Sequence, residues 1–283
     1  MGGEENMRVF VYGLGHLGCV TAAGLAHRGH AVALLDRPTP PTGEPDLEEM
    51  LQSGIESGRI RWSGIWPDNI NTMWVTFDTP VDGEDTAAVD EVLQEIDRAM
   101  PHLQTDVLVI LSCQLPVGTI AGLEAEYPLA TFVCIPENLR HGTAVKNFLL
   151  PDRIIVGTRG GKGHEKIADL LTPITGNVEW MSIESAEMTK HAINAWMAMS
   201  ICYANEIAAI CKKVGANPAE VERGLRTEER IGKKAYIRPG GPYTGKTLAR
   251  DLEYLQRMRG EIETPLLSSI KPSNEAHKGR GDA

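Results

Sequence analysis

The sequence predicts an α/β protein. A Rossmann, doubly wound, mainly parallel sheet is expected in residues 1–181, followed by an all-helical domain in residues 182–283 with one long helix. Three observations predict it. A glycine run with G-x-G-x-x-G spacing stands between an apolar, strand-like stretch and a helical pattern. Short β-prone runs then alternate with helical ones, the signature of parallel strands covered on both faces. From Ser182 the strand pattern gives way to a long helical one.

The elements follow in order. Val9-Phe10-Val11-Tyr12 is short, apolar and ends at glycine, so it reads as a buried strand, and residues 17–27 carry helical apolar spacing. Further strands are predicted at 31–35, 73–77, 107–111, 130–134 and 153–156, with a helix at 86–100 among those between them. Residues 185–214 form the long helix and 218–225 a shorter one. Ile237-Arg238-Pro239-Gly240-Gly241-Pro242-Tyr243-Thr244-Gly245 is a loop, because its prolines and glycines break both periods, and a helix resumes over 247–257. The polar tail from Lys271 is expected to be disordered.

Composition narrows the function. A formal charge of −10 with no Lys/Arg block repels nucleic acid and anionic lipid, so neither is an expected partner. Five scattered cysteines, with no C-x-x-C pair and no Cys/His cluster at zinc spacing, read as reduced thiols, and no metal site is expected. The first residues lack the regions of a signal peptide and no apolar run reaches membrane-span length, so a cytoplasmic location is expected.

Gly13-Leu14-Gly15-His16-Leu17-Gly18 has the spacing and context of a dinucleotide-binding turn. The first glycine permits the turn, the second lets the backbone approach a pyrophosphate, and the third lets helix and strand pack closely. Asp36 lies 23 residues after Gly13, where its carboxylate can accept from an adenosine ribose and repel a 2′-phosphate. The expected cofactor is therefore NAD, although adjacent Arg37 would suit NADP. The expected cofactor contacts are Gly13, Gly15, His16, Leu17, Gly18, Asp36, Arg37, Thr79 and Gln114.

Several segments, in order, resemble the UDP-glucose/GDP-mannose dehydrogenase family. They are Gly43-Glu44-Pro45-Asp46-Leu47-Glu48-Glu49, Thr79-Pro80, Leu115-Pro116-Val117-Gly118-Thr119, Pro136-Glu137-Asn138-Leu139-Arg140, Pro151-Asp152-Arg153, and Ser185-Ala186-Glu187-Met188 running on through Asn205-Glu206. The likeness continues through Arg230-Ile231-Gly232 and the glycine loop to Asp251. It implies catalytic roles for Lys190, Asn194, Asp251 and Glu137, and a homodimer formed through the long helix. Lys190 and Asn194 stand four apart and share a helix face. As a neutral amine, depressed in pKa by burial near cationic groups, Lys190 would accept a substrate hydroxyl proton; as an ammonium it would steady an oxyanion. The same pair resembles that of the 6-phosphogluconate and β-hydroxyacid dehydrogenases.

The sequence also departs from the family. Thr247 stands where the family's nucleophilic cysteine would be, Gln114 where a water-positioning threonine would be, and His141 where a second glutamate would be. A four-electron oxidation needs a thiolate to trap the aldehyde, so a single two-electron hydride transfer is expected. Cys113 and Cys134 are the alternative nucleophiles, and Thr247 could instead cap the helix beginning there. The sequence stops after the stretch resembling the family's dimerisation helix, so the resemblance implies that the family's second, nucleotide-gripping domain is not expected here. The expected substrate is consequently a small anionic hydroxy compound, a phosphate, phosphonate or carboxylate, held by Arg140, His141, Arg238, Lys246, Thr247 and Arg250. The alternatives are a nucleotide-sugar dehydrogenase or epimerase, and a non-catalytic NAD-binding regulatory protein.

Overall fold

The structure is a computed structural model that describes residues 7–81, 87–137, 139–244 and 246–279, with only the backbone of Lys246. Its elements are β1 (Arg8–Tyr12), α1 (His16–His27), β2 (Ala31–Leu34), α2 (Leu47–Glu56), β3 (Ile60–Trp62), β4 (Thr72–Val75), α3 (Val89–Ala99), β5 (Leu108–Leu111), α4 (Thr119–Glu126), β6 (Thr131–Cys134), α5 (Ala144–Leu149), β7 (Ile154–Thr158), α6 (His164–Leu171), β8 (Val178–Met181), α7 (Ile183–Val214), α8 (Pro218–Thr227), α9 (Lys246–Met258) and α10 (Pro265–Lys278). The described residues divide into two compact units. Among them, those from 7 to 80 and from 88 to 190 form one unit, and 81, 87 and those from 191 to 279 form the other.

The first unit holds one sheet in the order β3-β2-β1-β4-β5-β6-β7-β8. Every neighbouring pair is parallel except β6 and β7. Strand side chains alternate between faces, and each face closes its own core. Val9, Val11, Trp74, Leu108, Ile110 and Val133 pack with α1, α2, α5 and α6 on one side. Phe10, Tyr12, Met73, Val75, Val109 and Phe132 pack with α3, α4 and the first turn of α7 on the other. Burial on both faces is why these strands read as continuous apolar runs. Strand order reverses at β1 and β4, so a crevice opens beyond their carboxyl ends, the place where doubly wound sheets take ligands.

The two strands that sequence patterning misses are at the sheet edges. β3 is three residues long and buries only Ile60, and β8 is half-buried with no run of apolar residues. In the second unit, Ala195, Ala198, Cys202, Tyr243, Leu252 and Ile270 form the core. The tail expected to be disordered from Lys271 is instead helical to Lys278, as part of α10. Its buried residues are only Ile270 and Asn274, so no apolar stripe reveals it. Besides Ile270 in the core, polar bonds hold it. Asn274 accepts from the Tyr243 N–H at 2.9 Å and donates to the Tyr243 carbonyl at 3.1 Å. His277 Nε2 lies 2.9 Å from the Gly240 carbonyl, and Asn205 accepts from the Gly240 N–H at 2.9 Å. The glycine loop is thus fastened by α7 and α10. Among the described residues no helix is long and apolar enough to cross a membrane.

Two substitutions test these constraints. Asn274→Ala leaves two buried backbone groups of Tyr243 without their partner and should lower the unfolding free energy by about 2 kcal/mol in urea titration. At Gly18 an added Cβ would run into the Gly13 carbonyl and lie 2.9 Å from Thr76 Oγ1. Gly18→Ala should therefore cost roughly 1–3 kcal/mol in the same titration, and NAD should no longer raise the melting temperature.

Candidate functional site

The crevice is lined first by the turn after β1. Gly13 has φ +104°, and a side chain there would come within 2.7 Å of the Phe77 N. Thr76, just past β4, donates from Oγ1 to the Gly13 carbonyl at 2.7 Å and fixes the turn. A Cβ at Gly15 would meet the Asp78 carboxylate at 2.9 Å. Helix α1 then starts on Gly15 with no capping side-chain bond and no acid in its first turn. A helix N-terminus left open beside a close-approach glycine fits a diphosphate. Leu17 is buried in the core, whereas His16 turns its ring toward Glu44, with Nε2 3.1 Å from Oε2. Asp36 is exposed two residues beyond β2, open to a ribose. Exposed Arg37 lies over the Trp62 ring, 5.8 Å from its centroid.

The turns after β4, β5 and β6 are tied together. Thr79 Oγ1 donates to the Gln114 carbonyl at 2.9 Å, and Ser112 Oγ donates to the Ile135 carbonyl at 2.5 Å. Gln114 Nε2 donates to Glu137 Oε1 at 3.0 Å, and Lys190 Nζ reaches the same oxygen at 3.4 Å. The other oxygen, Oε2, accepts from the Leu139 N–H at 2.7 Å. The side chains of Lys190 and Glu137 are 10% and 18% exposed, so the pair is sheltered yet reachable. The neighbour of Lys190 is a carboxylate, not the cations expected from the sequence. Glu187, three residues earlier on α7, accepts from the Gly118 N–H at 2.8 Å and thereby seats the start of α4.

In the second unit Asp251 is fully buried, accepts from Asn194 Nδ2, and lies 3.1 Å from Arg250 Nε and 3.5 Å from His191 Nδ1. Burial opposes its charge, but His191, Arg250 and Asn194 outweigh that and hold its carboxyl below the usual range. Arg250 is itself buried in this cluster. Thr247 is exposed in the first turn of α9, one residue inside the helix rather than at its cap, and Arg238 is exposed in the glycine loop. Arg140 and His141 are exposed in the first unit, with the His141 ring stacked on His16 at 4.3 Å between centroids. The side chain of Lys246, together with Asn138 and Gly245, lies outside the described residues. Cys113 is pushed up to about 12 by burial, and Cys134 higher still by burial and the Glu187 charge. Neither thiol is a thiolate at neutral pH.

Sequence reading passes over two residues that the structure makes central. His191 is 1% exposed, packs edge-on to Tyr254 and reaches Asp251. Its position three before Asn194, on the same helix face, was the available signal. Glu44 falls in a quoted segment, but its backbone partners, Gly142 and Ala144, are 98 and 100 residues away in sequence, and no local pattern points to them.

Comparison with known proteins agrees with this geometry. Residues 7–175 match the UDP-glucose/GDP-mannose dehydrogenase family, NAD binding domain, and residues 184–276 match the central domain of the same family. A UDP-glucose 6-dehydrogenase of Bacillus subtilis is 30% identical over 291 residues, covering 95% of this chain and 66% of that protein. One from Rickettsia typhi is 27% identical, covering 96% of this chain and 68% of the relative. The structure of a UDP-glucose dehydrogenase from Pyrobaculum islandicum superposes with a TM-score of 0.86 at 25% identity, covering 98% of this chain and 69% of that one. The chain thus spans about two thirds of the length of these relatives. All three relatives are named for a nucleotide sugar, which overturns the expectation of a small anionic hydroxy compound as substrate and partner. That expectation rests on where the sequence stops, and the stopping point says nothing about the pocket formed by the residues present. The glycine cradle, the sheet order and both family matches make this chain a member of the UDP-glucose/GDP-mannose dehydrogenase family, with an NAD binding domain and the family's central domain.

Proposed function

We propose that the protein is an NAD-dependent oxidoreductase whose substrate is a UDP- or GDP-sugar, oxidised at a hydroxyl-bearing carbon. The observation that carries this is the Lys190–Glu137–Gln114 network, sheltered in the unit that holds the glycine cradle. Its Gln114 and Glu137 belong to the same carboxyl edge of the sheet as that cradle. Bound NAD supplies the hydride acceptor. Lys190 passes a proton to Glu137 and takes the substrate's hydroxyl proton in its place as the carbon gives up its hydride. Gln114 holds Glu137 in position for that exchange. In the second unit, Asp251 fixes the Asn194 amide.

A second oxidation, from aldehyde to acid, needs a thiolate nucleophile. Thr247 supplies a hydroxyl, Cys113 is half-buried and Cys134 buried, and both are protonated. The reading is therefore a single hydride transfer per sugar. Trp196, Tyr203 and Ile210, seven residues apart on α7 and 63%, 48% and 57% exposed, support a homodimer through this helix. Five free cysteines suit a cytoplasmic location.

The test is NADH formed per sugar consumed across a panel of UDP- and GDP-sugars. One NADH is expected. Two would require a nucleophile, and conversion of the sugar with no net NADH would replace dehydrogenation by epimerisation. Lys190→Met should lower kcat roughly a thousandfold, in the range of lost acid–base and electrostatic catalysis, while NAD still binds in calorimetry. Cys113→Ser and Cys134→Ala should leave kcat within about threefold of the parent protein. Loss of activity in either would identify the nucleophile that the single-transfer reading lacks.

A further inference from the structure

Glu44 has no place in the chemistry above, yet its carboxylate has four hydrogen-bonding partners. Its side chain is 2% exposed. Oε2 accepts from the Gly142 N–H at 2.9 Å and from His16 Nε2 at 3.1 Å. Oε1 accepts from the Ala144 N–H at 2.7 Å and the Val145 N–H at 3.3 Å. Burial works against its charge, but His16 and these three amides outweigh burial and hold its carboxyl below the usual range. Its partners come from two places. His16 is the first residue of α1, next to Gly15, where a dinucleotide's diphosphate would meet the helix N-terminus. The amides belong to the segment that opens α5 and follows His141, whose ring lies flat against His16 with an interplanar angle of 26°.

A simple helix cap needs only the amides. Here the same carboxylate also fixes the imidazole beside the glycine turn: Nε2 must carry the proton it donates to Glu44, so tautomer and ring orientation are both set. The turn and the segment at 141–145 are thereby held against each other through one buried anion.

We propose that Glu44 is a positioning residue for the cofactor: acting through His16, it holds the phosphate-binding turn in its binding conformation and couples that turn to the segment at 141–145. NAD affinity then depends on a carboxylate that does not itself need to touch NAD. This rests on the NAD-binding reading of the turn and is independent of the sugar.

The test is NAD binding by calorimetry to the full chain and to its Glu44→Ala, His16→Ala and doubly substituted forms, with amide hydrogen exchange followed at 142–145. Each single substitution should weaken NAD roughly tenfold, an ordinary coupling between linked sites. The double variant should be no weaker than the worse single one, because both remove the same linkage. NAD should slow exchange at 142, 144 and 145 in the parent and not in Glu44→Ala. If the alanine form does not fold, Glu44→Gln, which keeps an acceptor for the amides, takes its place with the same expectation. Faster exchange with NAD affinity unchanged within twofold would reduce Glu44 to a helix cap and overturn the proposal, as would effects of the two substitutions that simply multiply. A parent chain that takes up no NAD would overturn the cofactor reading itself, an outcome distinct from parent binding that survives the loss of Glu44.

Discussion

The first unit is organised around the close approach of two backbones at the carboxyl edge of its sheet. The Gly13 turn lies against Thr76 and Phe77 so tightly that neither Gly13 nor Gly18 has room for a Cβ, and the Thr76 hydroxyl bonds the Gly13 carbonyl. This contact sets the spacing of β1 and β4, aims the N-terminus of α1 into the crevice and leaves its first turn uncapped by side chains. Any residue that pushed these turns apart would disturb cofactor binding and sheet packing together.

From that edge outward, sheltered carboxylates carry the long-range organisation. Glu44 collects amides from the start of α5, Glu187 seats the start of α4, and Glu137 bonds the Leu139 N–H while receiving Gln114 and Lys190. An acid that satisfies helix N-terminal amides keeps its charge despite burial, since those donors act on the ionised form. The same residues that stabilise loops therefore also fix the side chains lining the site. In the second unit Asp251 does comparable work for Asn194, His191 and Arg250.

The glycine loop shows how function is tied to an unremarkable-looking tail. Asn205 from α7 and Asn274 from α10 hold Gly240 and Tyr243 by their backbone groups. These bonds act on the backbone, while Ile237 and Tyr243 anchor the loop through their buried side chains.

The sequence by itself determined six of the eight strands, the dinucleotide turn and the long helix, because each is written locally: short apolar runs for strands, a period of 3.6 for helices, and a fixed glycine spacing. It could not supply partners that are remote along the chain. Glu44 meets Gly142 and Ala144, Lys190 meets Glu137, and Tyr243 meets Asn274 only after folding. Nor did a polar segment such as α10 announce itself, since a helix held by two asparagine bonds and one isoleucine leaves no apolar stripe to read. Tertiary structure decided which charges are sheltered, which thiols are protonated and which loops are bonded to one another, because those properties depend on burial and on distances between segments that sequence order does not record.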